Sequence, residues 1–145
     1  APATPLARFY QGLQWNPRVF GGADVKMWLY LAGACCLLWN VLSLCAAQAA
    51  RAASGAPSTA ALAWGGMFSW FLLDYMLGEY VHLYTYDIFA ERVGFKLAWG
   101  CVCFYPCFYC VGGHALARAA PGRDLSAAGA ACAAALFLAG WALTR

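Results

Sequence analysis

Met27-Trp-Leu-Tyr-Leu-Ala-Gly-Ala-Cys-Cys-Leu-Leu-Trp-Asn-Val-Leu-Ser-Leu-Cys-Ala-Ala-Gln-Ala-Ala50 carries no charged residue from one end to the other. At a rise of 1.5 Å per residue it supplies the ~20 residues that a bilayer core requires of a spanning helix. Three further apolar stretches follow, at about 62–84, 95–117 and 126–144. The pattern predicts an all-α fold: a polytopic transmembrane helical bundle with about four spanning helices, one transmembrane domain over residues 1–145. Arg51-Ala-Ala-Ser-Gly-Ala-Pro-Ser-Thr59 and Arg118-Ala-Ala-Pro-Gly-Arg-Asp124 read as turn-rich breaks between spans, with Ser126 as the cap of the fourth helix.

Composition agrees with that solvent. Hydrophobic residues make up 64% of the 145 and charged ones 10%, against roughly 25% charged in soluble domains. The aromatic content of 17% suits interfacial belts and ring-lined cavities. A net charge of +3, scattered along the chain, leaves no nucleic-acid footprint. The eight cysteines sit inside apolar runs, where they act as small fillers rather than as a disulfide framework. Cys103, Cys107, Cys110 and His114 follow a helical rhythm, but a helix separates the first from the last by about 16 Å, so no metal site is predicted. No Gly-rich phosphate loop and no Gly-x-Ser-x-Gly appears.

No initiator methionine and no signal-peptide pattern precede the first apolar run, so the stretch is expected to be cut from a longer chain. Arg8, Arg18 and Lys26 precede the first span, and Arg92 and Lys96 lie between the second and third. The positive-inside rule places these residues, and Arg145, on the cytoplasmic side.

The second apolar stretch is unusual. Asp74-Tyr-Met-Leu-Gly-Glu-Tyr-Val-His-Leu-Tyr-Thr-Tyr-Asp87 carries Asp, Glu and His where each charge near the bilayer centre costs at least ~2.5–3.5 kcal/mol. On one continuous helix, Asp74, Tyr75, Gly78, Glu79, His82, Thr85 and Tyr86 fall within an arc of roughly 140°. Such a stripe reads either as a polar cavity that orients a ligand and relays a proton, or as a set of interhelical hydrogen bonds with Glu79 and His82 paired at i, i+3. It needs partners to cover it, and is expected to be partly exposed in this stretch alone.

The order of several short blocks resembles the sterol reductase family, the sterol C14, Δ7 and C24(28) reductases. Phe9-Tyr-Gln-Gly-Leu-Gln-Trp-Asn-Pro-Arg18 resembles the signature in which an aromatic and a glycine precede Asn-Pro-Arg, making Gly12, Asn16, Pro17 and Arg18 its structural motif. Asp24-Val-Lys26 is similar to the family's Asp-Phe-Lys. Asp74 and Glu79 stand where an acidic pair is kept, Thr85-Tyr-Asp87 matches Thr-x-Asp, and Gly94-Phe95 matches Gly-Phe. Trp99-Gly100, Pro106 and Tyr109 follow in register, as do Gly140-Trp141 and Arg145. Arg8 replaces an acidic residue of the signature, and Cys101 replaces an Asp.

The resemblance implies NADPH-dependent reduction of a sterol carbon–carbon double bond, of the Δ14 type, by a multi-pass protein of the endoplasmic reticulum membrane. Hydride from NADPH reaches one carbon and a proton the other. It further implies catalytic roles for Glu79, His82, Tyr86 and Asp87, substrate contacts from Asp74, Tyr75, Thr85 and Trp99, and a cofactor contact from Arg145. Sterol and membrane lipid are the implied partners, together with a C-terminal half that carries most of the NADPH site and lies outside this sequence. Two other readings share the fold: a catalytically silent sterol-binding or scaffold paralogue, and a membrane enzyme of the isoprenylcysteine methyltransferase type.

Overall fold

A computed structural model describes residues 4–52, 54–119 and 124–144. In chain order the elements are α1 (Pro5–Gln11), the two-residue strands β1 (Arg18–Val19) and β2 (Ala23–Asp24), α2 (Val25–Arg51) and α3 (Thr59–Leu77). They continue as α4 (Glu79–His82), α5 (Tyr86–Ala90), α6 (Phe95–Trp99), a π turn (Gly100–Phe104), α7 (Tyr105–Phe108), α8 (Val111–Arg118) and α9 (Ala127–Leu143). The architecture is all-α. Among the described residues, three helices are long and apolar enough to cross a membrane: Val25–Arg51, Thr59–Leu77 and Phe95–Arg118; the apolar α9 is shorter, at 17 residues.

The second apolar stretch departs from its expected length. It is not one helix to residue 84: α3 stops at Leu77, and the chain then turns through α4 and α5. Gly78 interrupts the helical backbone at φ −89° and ψ 28°, as suits a residue that loses more freedom than any other inside a helix. The predicted arc of polar residues is therefore divided among three short or ending helices.

The third apolar helix contains a defect with a clear cause. Pro106 has no N–H to give, and its ring crowds the carbonyl four residues back. The chain answers with the π turn just before it, where the Tyr105 N–H reaches the Gly100 carbonyl. A turn at 109–110 then separates α7 from α8, so Cys103, Cys107, Cys110 and His114 do not share one unbroken helical rhythm.

The chain divides into two compact units. In the first, Ala1–Leu37 with Leu73–Tyr109, the buried Leu29, Leu97 and Cys101 form a core flanked by Val25, Tyr30, Val93 and Ala98. α2 meets the third apolar helix at Gly33, where a Cβ would stand 2.3 Å from the Cys101 carbonyl oxygen. Small residues at such crossings let backbones approach, which drives helix association where lipid removes the usual hydrophobic gain. The N-terminal segment folds onto the start of α6 and the loop before it: Phe9 stacks on Phe95 at 5.2 Å, and the Val93 N–H donates to the Gln14 carbonyl at 2.9 Å.

The second unit, Leu38–Leu72 with Cys110–Arg145, uses the same device. Gly113 accommodates the Trp64 ring, which a Cβ would approach to 2.3 Å, and Gly65 accommodates the Cys45 sulfur. Trp70 and Trp141 meet edge to face at 5.5 Å. The α3 N-terminus is capped by Asp124, whose two carboxylate oxygens accept from the Thr59 and Ala60 N–H groups at 2.8 and 3.0 Å. Arg51 donates to the Ala117 carbonyl at 2.7 Å, and Ser126 caps α9 by accepting from the Gly129 N–H at 3.1 Å.

Candidate functional site

The site is built where α3 ends. A helix leaves its last carbonyls without intrahelical donors. The Asp74 carbonyl takes the Gly78 N–H at 2.9 Å. The Tyr75 carbonyl takes the His82 ring, whose Nε2 lies 3.0 Å away. A carbonyl oxygen only accepts, so Nε2 carries the hydrogen, and the other ring nitrogen is the one left for chemistry. His82 is buried between aromatic neighbours, with its ring centroid 3.9 Å from that of Tyr75 and 6.4 Å from that of Tyr30. Thr85 closes the turn by donating its hydroxyl to the His82 carbonyl at 2.7 Å.

The other sequence-predicted residues scatter around this break. Asp74 and Tyr75 are half-buried on the last turn of α3. Glu79 opens α4 and is exposed, and among the described residues no ion pair joins it to His82. Tyr86 is exposed at the start of α5, and Trp99 is exposed on α6 with its ring 5.6 Å from Phe104. The backbone of Asp87 lies in α5, but its side chain is outside the description, and Arg145 lies outside the described residues. The structure thus joins Tyr75, His82 and Thr85 through hydrogen bonds and ring contact, places Asp74 one residue before Tyr75, and leaves Glu79, Tyr86 and Trp99 exposed.

The Asn-Pro-Arg motif works as a scaffold. Gly12 is buried at φ +85°, and a Cβ there would stand 2.1 Å from the Val93 carbonyl oxygen, so only glycine fits. The Pro17 carbonyl accepts from the Val25 N–H at 3.1 Å, Arg18 pairs with Asp24 across the β1–β2 hairpin, and Asn16 is exposed. Asp24 then caps α2, its Oδ1 accepting from the Lys26 and Met27 N–H groups at 2.8 and 3.2 Å.

Sequence reasoning placed Lys26 in a motif without giving it a task. Its side chain is fully buried, and the ammonium donates to the Ile88 carbonyl at 2.8 Å and to the Glu91 carbonyl. It thereby gathers the carbonyls at the end of α5, where a cation also complements the helix dipole. The available signal was a lysine two residues after an acidic cap, heading a helix with no charge for the next six turns. Tyr30 was also missed, because nothing in its spacing distinguishes a ring beside His82 from a lipid-facing one.

The chain matches the family described as "Ergosterol biosynthesis ERG4/ERG24 family" over residues 3–145. It is 30% identical over 141 residues to a protein named Delta(14)-sterol reductase from Methylotuvimicrobium alcaliphilum. The alignment covers 97% of this chain and 32% of that relative, so the chain spans about a third of the relative's length.

Proposed function

The chain belongs to the ergosterol biosynthesis ERG4/ERG24 family, and on that premise we propose that the full-length protein is a sterol reductase acting in sterol biosynthesis. The reaction is reduction of a sterol carbon–carbon double bond, with Δ14 as the favoured position because the 30%-identical relative carries that name. The same reading makes it a multi-pass enzyme of the endoplasmic reticulum membrane with sterol as substrate. The observation that supports the proposal is the break in α3 at Gly78, beside which Tyr75, His82 and Thr85 are joined by hydrogen bonds at the end of a membrane-length helix. Irregular backbone at membrane depth is tolerated where it is buried in protein or lines a cavity, and ionisable groups there are costly unless used.

NADPH, when bound, supplies the hydride. The described residues fit a phosphorylated cofactor at one point: the Nε of Arg92 is buried without a hydrogen-bond partner, in a side chain that lines a cavity. The chain's own part is to hold the sterol and to deliver a proton to the carbon opposite the hydride. Asp74, Tyr75, Thr85 and Trp99 are assigned to the sterol, and Glu79, His82, Tyr86 and Asp87 to the proton path, with Arg145 on the cofactor side. Since the Nε2 hydrogen of His82 is held by Tyr75, its part is to fix the ring and the turn, and its free nitrogen is the only one able to exchange a proton.

The test is turnover by the full-length protein on Δ14, Δ7 and Δ24(28) sterols with NADPH. Reduction of the Δ14 substrate, weakened about a hundredfold or more in E79Q or D87N as is usual for a lost general acid, supports the reading. Unchanged turnover in either variant removes that residue from the proton path.

A further inference from the structure

Beside the α5–α6 loop, in the first unit, lies a cavity of about 600 Å³ lined by Tyr10, Gln11, Trp15, Glu91, Arg92 and Lys96 among others. Its charges are unevenly satisfied. Glu91 pairs with Lys96. The Arg92 guanidinium rests over the Trp15 ring, 4.7 Å from its centroid, and among the described side chains no carboxylate pairs with it. Arg92 is half-buried, and its Nε is buried with no hydrogen-bond partner. A half-desolvated guanidinium whose fork is not engaged is an incomplete arrangement, because its donors are matched in shape to the paired oxygens of a phosphate or carboxylate. The backbone beside it is fixed, since the buried Lys26 ammonium holds the Glu91 carbonyl. Trp15 packs against the guanidinium.

From this we infer that the cavity binds the phosphate group of a phosphate ester, with Arg92 as its bidentate anchor, Trp15 as the platform that orients the anchor, and the Lys96–Glu91 pair as its rim. Under the reductase reading the ester is that of the nucleotide cofactor, but the anion chemistry stands without that reading, because a site of this kind serves a lipid headgroup as well as a nucleotide. The two sources share the phosphate chemistry and differ in whether the ligand is delivered from water or from the bilayer.

The experiment uses the full-length protein in phosphatidylcholine nanodiscs and follows its thermal midpoint, since a ligand that binds only the folded state raises it. One arm adds inorganic pyrophosphate, with sodium chloride at equal ionic strength as the control. The other replaces part of the phosphatidylcholine by phosphatidic acid. The expected result is a rise in one arm or both, with apparent affinity reduced roughly tenfold or more in R92Q and less in R92K, which keeps the charge without the fork. A pyrophosphate response assigns a soluble phosphate ligand, and a response confined to phosphatidic acid assigns a lipid headgroup. No rise in either arm, or a rise that R92Q retains in full, overturns the inference. Should R92Q fail to fold, R92K carries the comparison, and an R92K titration identical to wild type overturns it.

Discussion

The His82 Nε2 lies 3.0 Å from the carbonyl oxygen of Tyr75, across the point where α3 ends. This contact closes the helix end and makes the turn to α5 a defined structure. Replacing His82 by Ala removes this donor from the Tyr75 carbonyl in a half-buried site. The expected loss is about 1–3 kcal/mol, read as a lower thermal midpoint and as faster amide exchange over residues 78–85. Wild-type exchange in that segment would show that the contact does not hold the turn.

Lys26 ties the first apolar helix to α5 through the Ile88 and Glu91 carbonyls. K26M keeps most of the apolar stem and removes the ammonium. It is expected to cost about 1–3 kcal/mol, because the two carbonyls lose a charged donor. It should also weaken sterol turnover through misplacement of α5, with a larger effect on KM than a loss of stability alone produces. A variant with normal melting and normal KM would separate Lys26 from the site.

At Gly12 both conformation and space forbid a side chain, whereas at Gly21 (φ +82°) a Cβ would meet nothing within 4 Å. G21A is expected to cost about 1 kcal/mol of backbone strain alone. G12A adds a backbone clash with Val93 and should cost several times more, releasing the N-terminal segment to limited proteolysis. Equal effects in the two variants would contradict the packing of that segment on Val93.

Three of the four apolar stretches were legible as helices of membrane length because a long run with little charge suffices to specify one, and Ser126 was legible as a cap by its position before an apolar run. The end of α3 was not. Periodicity from Asp74 to Tyr86 fits a continuous helix, and what breaks it is Gly78 together with an alternative partner for the Tyr75 carbonyl, supplied by His82 seven residues on. The task of Lys26 was invisible for a similar reason, as its partners are backbone carbonyls more than sixty positions away and have no side-chain signature. The Arg92–Trp15 pair also depends on the fold that brings residue 15 back to residue 92.

Asp124 gives a pH dependence outside the spans. The backbone N–H groups of Ala60 and then Thr59 hold its carboxyl below the usual carboxylate value. A folded value below the unfolded one means that the cap contributes fully above the unfolded carboxyl pKa of about 3.9 and is lost as pH falls through the folded value. The stability difference between wild type and D124A should therefore be constant from neutral pH to about pH 5 and shrink below about pH 4. A difference that stays constant to pH 3 would contradict the capping geometry.

The central claim is best tested by following the atoms. Full-length protein is incubated with a Δ14-unsaturated sterol and NADPH carrying deuterium at the transferable position, in ordinary water and then, with unlabelled NADPH, in heavy water. The account predicts a saturated product with one deuterium from the cofactor in the first experiment and one from solvent in the second, on the two carbons of the former double bond. Sterol recovered unreduced, with binding intact and the cofactor unchanged, would contradict the account and leave a sterol-binding protein of the same fold.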